Sequence, residues 1–426
     1  MLAEAVVTTG MLGILAWCYA NETGMTDATK IQKIANNCNL KVKDGKETHT
    51  IQLLRKRRRE WGTEYVYRIP LGLSFEDFEK KLRAFEDGLN VRRSWVEDIR
   101  GLKLDRTIIQ QIKKPRPRKE ILMEYDGTLK IKVYNEPLPK EILFNEELLE
   151  SCKSWKVLIG ESRTGRVYHN FEHHPHLIVA GTTRYGKSVF LKNVVTTLIH
   201  NKPHAARIHL IDLKGGLAFQ RFKNARPVVG LAKDAREALV ILTRIVDEMK
   251  NRQIKFLEKG YEDIVEAGYH QRDFIIVDEG AELSPMQEPD TDEKKIKARC
   301  EKLLAEIARI GGGLGYRLVY ATQYPTGDIL PRQVKQNATS KLCFLLDTEV
   351  ASKVVLDEGG AEKLPWIKGR AIYKTDRKTV VQTPLITNDF IQKVIEPHIN
   401  IRPREEKNEH PERKESRPNI IKFEDA

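Results

Sequence analysis

Residues 173–190 read HHPHLIVAGTTRYGKSVF: an apolar strand, a glycine turn, then a helix opened by Lys187 and Ser188. Gly181, Gly186, Lys187 and Ser188 meet the pattern G-x-x-x-x-G-K-[ST]. Such a loop captures phosphate. Backbone N–H groups and a helix N-terminus face the anion, the lysine reaches the outer phosphates, and the hydroxyl ligates magnesium. The expected cradle comprises Gly181, Thr182, Thr183, Arg184, Tyr185, Gly186, Lys187, Ser188 and Val189.

A second stretch supplies acids. FIIVDE (274–279) sets four apolar residues before Asp278 and Glu279. A carboxylate at a strand's C-terminal end holds magnesium, directly or through water, and its neighbour orients and deprotonates an attacking water. Asp278 thus joins Ser188 as a candidate metal ligand. Gln323 ends RLVYATQ, at the tip of a third strand. Strand tips converge in this architecture, so its amide is placed to sense an outer phosphate. The plainer alternatives are acids that cap a strand end and a glutamine that faces solvent.

Around these stretches, short apolar strands alternate with helices. HLIVAG (176–181), IHLIDL (208–213), FIIVDE, RLVYAT (317–322) and KLCFLL (341–346) are nearly continuous apolar runs, as in a sheet covered on both faces. Asp234 and Glu237 read as a capping-box start for a helix that turns Ala238, Leu239, Leu242, Ile245, Val246 and Met249 inward. The fold expected over 151–392 is therefore α/β, a parallel sheet with helices on both faces. Residues 22–150 read as a small α+β unit. Its strands are EYVYRIPL (64–71) and LKIKVY (129–134), and Ser74 caps a helix with Phe75, Phe78, Leu82, Phe85 and Leu89 on one face. KKPRPRK (113–119) reads as a basic loop.

Composition narrows the partners. With 40% hydrophobic and 31% charged residues, the 426-residue chain is globular rather than disordered. Its net charge of +13 favours nucleic acid or an anionic membrane face. Five scattered cysteines without a C-x-x-C pair argue against a zinc ribbon or a disulfide framework. His169, His173, His174 and His176 cluster without a cysteine or acid at ligand spacing, and read as a loop entering a strand. Residues 2–20, LAEAVVTTGMLGILAWCYA, approach the ~20 residues of a spanning helix, and RKRRR (55–59) downstream would keep the bulk of the chain in the cytoplasm. A buried N-terminal helix is the alternative. The expected division is a membrane anchor over 1–21, the α+β unit over 22–150, the α/β unit over 151–392, and a charged, disordered tail over 393–426.

HPHLIVAGTTRYGKS, LIDLKGG, IIVDEGAEL, ARIGGGLGYRLVYATQYP and VLDEGGAEKL, in this order between about 165 and 375, resemble the motor domain of the FtsK/SpoIIIE DNA translocases. The resemblance implies a RecA-like P-loop core, a homo-hexameric ring, ATP with magnesium, and movement along sequence-tolerant double-stranded DNA. It carries Lys187 and Ser188 onto the phosphate loop, Asp278 and Glu279 onto the magnesium and water site, and Gln323 onto the sensor. Departures from the family pattern concern regulation. Arg184 and Tyr185 replace a glycine and a small residue, and are expected to crowd the turn. Gly312 stands where a trans-acting arginine is common, with Arg309 and Arg317 nearby, and Tyr324 replaces an arginine after ATQ. Hydrolysis is therefore expected to be weak or triggered. The compact layout resembles the FtsK-type coupling proteins of Gram-positive conjugative elements, which implies a relaxase and a membrane secretion channel as partners. A secretion ATPase with protein cargo and a nucleotide-binding adaptor with little turnover are the other readings.

Overall fold

Alternating burial builds a small sheet first. The computed structural model describes residues 26–91 and 118–399, apart from 287, 324 and 326–328. The apolar run 2–20, residues 113–117 of the basic loop, Tyr324 and the charged tail lie outside the described residues. The small unit runs α1 (Asp27–Asn37), β1 (Lys41–Asp44), β2 (Glu47–Thr50), β3 (Gln52–Arg59), β4 (Gly62–Arg68), α2 (Phe75–Glu79), α3 (Leu82–Asn90), β5 (Glu120–Tyr125) and β6 (Leu129–Tyr134). Its sheet is antiparallel in the order β3-β4-β6-β5. Leu129, Ile131 and Val133 of β6 turn inward at period two and meet Ile31, Ala35, Phe78 and Phe85. The single helix expected after Ser74 is two helices broken at Lys80–Lys81. The backbone N–H and hydroxyl of Ser74 both donate to Asp77 Oδ2, at 2.8 and 3.0 Å, and start the first helix there.

The second unit runs α4 (Glu146–Ser151), β7 (Lys156–Ser162), β8 (Gly165–Asn170), β9 (Leu177–Ala180), α5 (Lys187–Asn201), β10 (Ala206–Asp212), β11 (Val228–Ala232), α6 (Ala235–Lys259), β12 (Arg272–Asp278), α7 (Thr291–Ile310), β13 (Tyr316–Thr322), α8 (Arg332–Asn337), β14 (Ser340–Phe344), α9 (Glu349–Leu356), β15 (Arg370–Lys374), β16 (Lys378–Gln382) and α10 (Asn388–Ile395). Ten strands form one sheet in the order β11-β10-β12-β13-β9-β14-β15-β16-β7-β8.

That sheet corrects the expectation of a parallel one. β11 through β14 are parallel, but β15, β16, β7 and β8 extend the sheet antiparallel. The cause is local. β7–β8 and β15–β16 are hairpins whose turns, at Arg163–Thr164 and Thr375–Arg377, are too short for a crossover helix.

Helices do cover both faces. Leu177, Val179, Phe274 and Ile276 enter the core beneath α5, whereas Ile178, Ala180, Ile275 and Val277 enter the core beneath α6 and α7. Both faces are buried, which accounts for the unbroken apolar runs. The first of these cores begins at Phe144 and takes in Leu148 and Leu149 of α4, so the chain passes from the small core to the large one between Val133 and Phe144.

Two of the four clustered histidines, His169 and His176, are buried and serve packing. His169 Nδ1 lies 2.9 Å from the Tyr373 hydroxyl, and His176 Nδ1 accepts from the Leu318 N–H at 3.0 Å. Burial pushes both rings down to about 3. Among the described residues, no helix is long and apolar enough to cross a membrane.

Candidate nucleotide site

The register brings the strand tips to one level. Asp212 of β10 pairs with Asp278 of β12, and Thr322 of β13 pairs with Ala180 of β9. The chain leaves β9 through Gly181 at φ 158°, where a Cβ would lie 2.5 Å from the Phe344 Cβ. Only glycine lets the loop turn that close to β14. Thr182 donates its N–H to the Leu345 carbonyl at 3.0 Å, and α5 starts at Lys187 after Gly186.

Arg184 and Tyr185 do not crowd this turn. The Arg184 side chain is exposed, and the ring of Tyr185 meets Trp366 edge-on at 6.2 Å. The Tyr185 carbonyl accepts from the Gly369 N–H at 2.9 Å. Their cost lies in the backbone: Arg184 sits at φ 72°, a left-handed conformation about 1–2 kcal/mol unfavourable for a residue with a Cβ.

At the strand tips the expected residues form one network. The Lys187 ammonium is buried 2.9 Å from Asp278 Oδ1 and also contacts Glu279 Oε1. Ser188 Oγ donates to Asp278 Oδ2 at 3.1 Å. Gln323 Nε2 donates to Glu279 Oε1, and the Thr183 hydroxyl donates to Gln323 Oε1 at 2.6 Å. Glu279 itself is left-handed at φ 59°. Gly280 follows it, and a Cβ there would lie 2.3 Å from the Tyr320 ring. β12 therefore ends in a turn that holds both acids toward the phosphate loop.

Two parts of the site escaped the sequence reading. Lys214, just beyond β10, places its ammonium 3.4 Å from Glu279 Oε1 while remaining half-exposed. Asp212 shapes its loop by accepting from the N–H groups of Lys214 and Ala218, at 3.1 and 2.8 Å. The other part is the far wall of the cleft beside the phosphate loop, formed by Glu141, Lys368, Gly369, Gln382, Thr383 and Pro384. The cleft has a cavity volume of about 190 Å³. Gln382 closes its wall by donating to the Lys368 carbonyl at 2.7 Å and accepting from Arg370 Nε at 3.0 Å. No motif marks these positions; strand order alone brings them there.

The donor set suits a magnesium–nucleotide complex. Ser188 Oγ and the Asp278 carboxylate are hard oxygen ligands beside a buried ammonium. Among the described residues, no cluster of three or more His, Cys, Asp or Glu is built to hold a metal by itself. A magnesium ion held here would take its remaining ligands from phosphate and water.

One expected substitute for a trans-acting arginine is used elsewhere. Arg317 is buried, donates to the Gly312 carbonyl at 2.7 Å and pairs with Glu172 at 3.2 Å. Burial lowers its guanidinium to about 10. Buried near the N-terminal end of β13, it is committed to these contacts. Arg309, in the last turn of α7, is exposed.

Residues 140–274 match the FtsK/SpoIIIE family. The DNA translocase SpoIIIE of Bacillus subtilis (strain 168) is 28% identical over 281 residues, covering 60% of this chain and 34% of that protein. The DNA translocase FtsK of Bacillus anthracis is 29% identical over 265 residues, covering 57% and 32%. The chain thus spans about a third of the length of these curated relatives. Among solved structures, the monomer form of the pCW3 conjugation coupling protein TcpA with ATPγS aligns with a TM-score of 0.59 at 20% identity, over 87% of this chain and 99% of that one. ATPases 2 and 3 of EssC from Geobacillus thermodenitrificans align with a TM-score of 0.51 at 15% identity, over 62% and 51%. At such identities the two structures speak for the fold alone.

Proposed function

We propose that this chain, which carries an FtsK/SpoIIIE-family P-loop ATPase domain, is an ATP-driven DNA translocase acting as the coupling protein of a conjugative element. The observation that carries the reading is the single network joining Lys187, Ser188, Asp278, Glu279 and Gln323 beside the cleft. In this reading Lys187 binds the outer phosphates, and Ser188 with Asp278 holds magnesium. Bound magnesium offsets charge on the transferring phosphoryl group. Glu279 orients an attacking water and takes its proton, and Gln323 holds the Glu279 carboxylate in place. Phosphate at the loop competes with both carboxylates for the one Lys187 ammonium, so binding and release of the acids are a single exchange.

The remaining assignments belong to the same proposal. The chain assembles as a homo-hexamer and grips DNA phosphates without reading sequence. The run at 2–20 tethers it to the cell membrane in a single pass, with the motor in the cytoplasm, where it meets a relaxase and a secretion channel. The division is an anchor over 1–21, a small unit from 22, a motor to 392 and a tail from 393. The packing of α4 on the large sheet favours moving the inner boundary from 150 to the segment before Phe144.

The test is ATP turnover by the full chain with and without duplex DNA, against Lys187→Ala. DNA should stimulate turnover, and the variant should lose it by at least about a hundredfold, as expected when a transition-state charge partner is removed. Turnover that ignores DNA but rises with a polypeptide substrate would point to protein secretion. Nucleotide binding without turnover would leave an adaptor.

A further inference from the structure

β3, QLLRKRRR, is exposed along its whole length and pairs only with β4 at the edge of the small sheet. Arg55, Arg57 and Arg59 stand opposite Val66, Glu64 and Gly62, on the face turned away from the helices. Lys56 and Arg58 stand opposite Tyr65 and Thr63 on the other face, with the Lys56 ammonium 5.8 Å from the Tyr65 ring. Arg57 lies 3.7 Å from Glu64, whereas Arg55, Arg58 and Arg59 have no ion pair among the described residues. Five successive cations therefore project from both faces of one edge, and no described acid pairs with four of them.

Apolar side chains share this edge. Leu53 and Leu54 are 44% and 47% exposed. Leu71 is 95% exposed in the turn after β4, and Gln52 pairs with Arg68, so this turn lies at the Leu53 end of the strand. A grip on nucleic acid alone has use for cations and stacking rings but none for bare leucines. An anionic bilayer uses both, with leucines in the headgroup layer and cations on lipid phosphate. The position in the chain agrees. The apolar run ends at residue 20 and α1, part of the same core, starts at Asp27, so the intervening six residues reach at most ~20 Å.

We propose that the β3 edge, with Leu53, Leu54 and Leu71, docks on an anionic phospholipid surface. The inference rests on the membrane-tethered reading for its orientation and does not depend on ATP hydrolysis. The cations bind lipid phosphates, the leucines enter the headgroup layer, and the small unit is held flat against the bilayer.

The experiment uses the full chain with Leu71→Cys, carrying an environment-sensitive fluorophore, and with Cys18 and Cys38 changed to serine. It is mixed with vesicles of phosphatidylcholine alone or with phosphatidylglycerol. The run at 2–20 is common to all samples and cancels in the comparison. The label should shift to the blue only with the anionic vesicles. Replacing Arg55, Arg57, Arg58 and Arg59 by glutamine should weaken that response by roughly fivefold per charge removed. The fourfold Arg→Lys variant should keep it, which separates lost charge from lost folding. A label that responds equally to both vesicles, or to neither, overturns the proposal. So does a glutamine variant that loses affinity for duplex DNA while its lipid response stays intact, which would make the strand a DNA grip. ATP turnover of the glutamine variant without lipid or DNA should be unchanged. Absence of turnover in the parent chain would count against the proposed motor and leave the docking surface untouched.

Discussion

Glu279 is the residue on which most contacts converge. Lys187, Lys214 and Gln323 all reach its Oε1. Glu279→Gln keeps an oxygen for these donors and removes the base. Nucleotide binding should persist while turnover falls about 10²- to 10⁴-fold, checked by equilibrium binding beside steady-state rates. Lys214 is different in kind: its half-exposed ammonium reaches the base from the loop after β10. Lys214→Met should raise unstimulated turnover about two- to fivefold, the worth of such an exposed pair, and shrink the DNA stimulation ratio. A parallel loss in both states would make Lys214 merely structural. The sequence allowed one of these partnerships to be anticipated and not the other. Asp278 and Glu279 end an apolar run that can only be a covered strand, and the phosphate loop names its own lysine. Lys214 sits in DLKGG, where nothing local says that β10 lies beside β12; strand order decides that.

At the scale of elements, five of the six parallel strands were readable because burial on both faces removes polar alternation; β11, mostly half-buried at the sheet edge, was not. The four antiparallel strands were not. KTVVQ is short and only partly buried, and KVLIGES, though buried from Val157 to Gly160, ends in polar residues; their pairing across tight turns makes them strands. The histidines leading into β9 read as a loop entering a strand; that His169 and His176 are buried depends on β15 and β13, which sequence spacing cannot place. That burial has a pH consequence. His169 and His176 ordinarily titrate at 6.5 and are pushed down to about 3 in the fold. Across that window the unfolded chain binds more protons than the folded one, so stability is retained above 6.5 and lost as pH falls toward 3. Each ring contributes up to about 1.4 kcal/mol per pH unit. Thermal unfolding midpoints should fall from pH 7 to pH 5; a flat profile would show that the rings are not buried neutral.

For the whole molecule, the net charge of +13 ties function to ionic strength. If the chain works as the proposed DNA motor and contacts six or so phosphates, it should lose about a thousandfold in apparent affinity between about 50 and 200 mM salt, measured by the DNA concentration that half-stimulates turnover. Stimulation that survives that change would exclude a phosphate grip. The far wall of the cleft bears on the same question. It belongs to the antiparallel half of the sheet, and that half is fastened to the small unit. Arg163 at the β7–β8 turn donates to Glu120 of β5 at 2.6 Å, and Arg370 of β15 donates to the Pro139 carbonyl at 2.8 Å. Gln382, on the wall, is hydrogen-bonded to that same Arg370. In mechanical language this is a crank. One end bears on the cleft and the other on the small unit, with hydrogen-bonded strands as the shaft. The wall and the small unit are thus joined by one continuous run of hydrogen bonds, so neither shifts without loading the other.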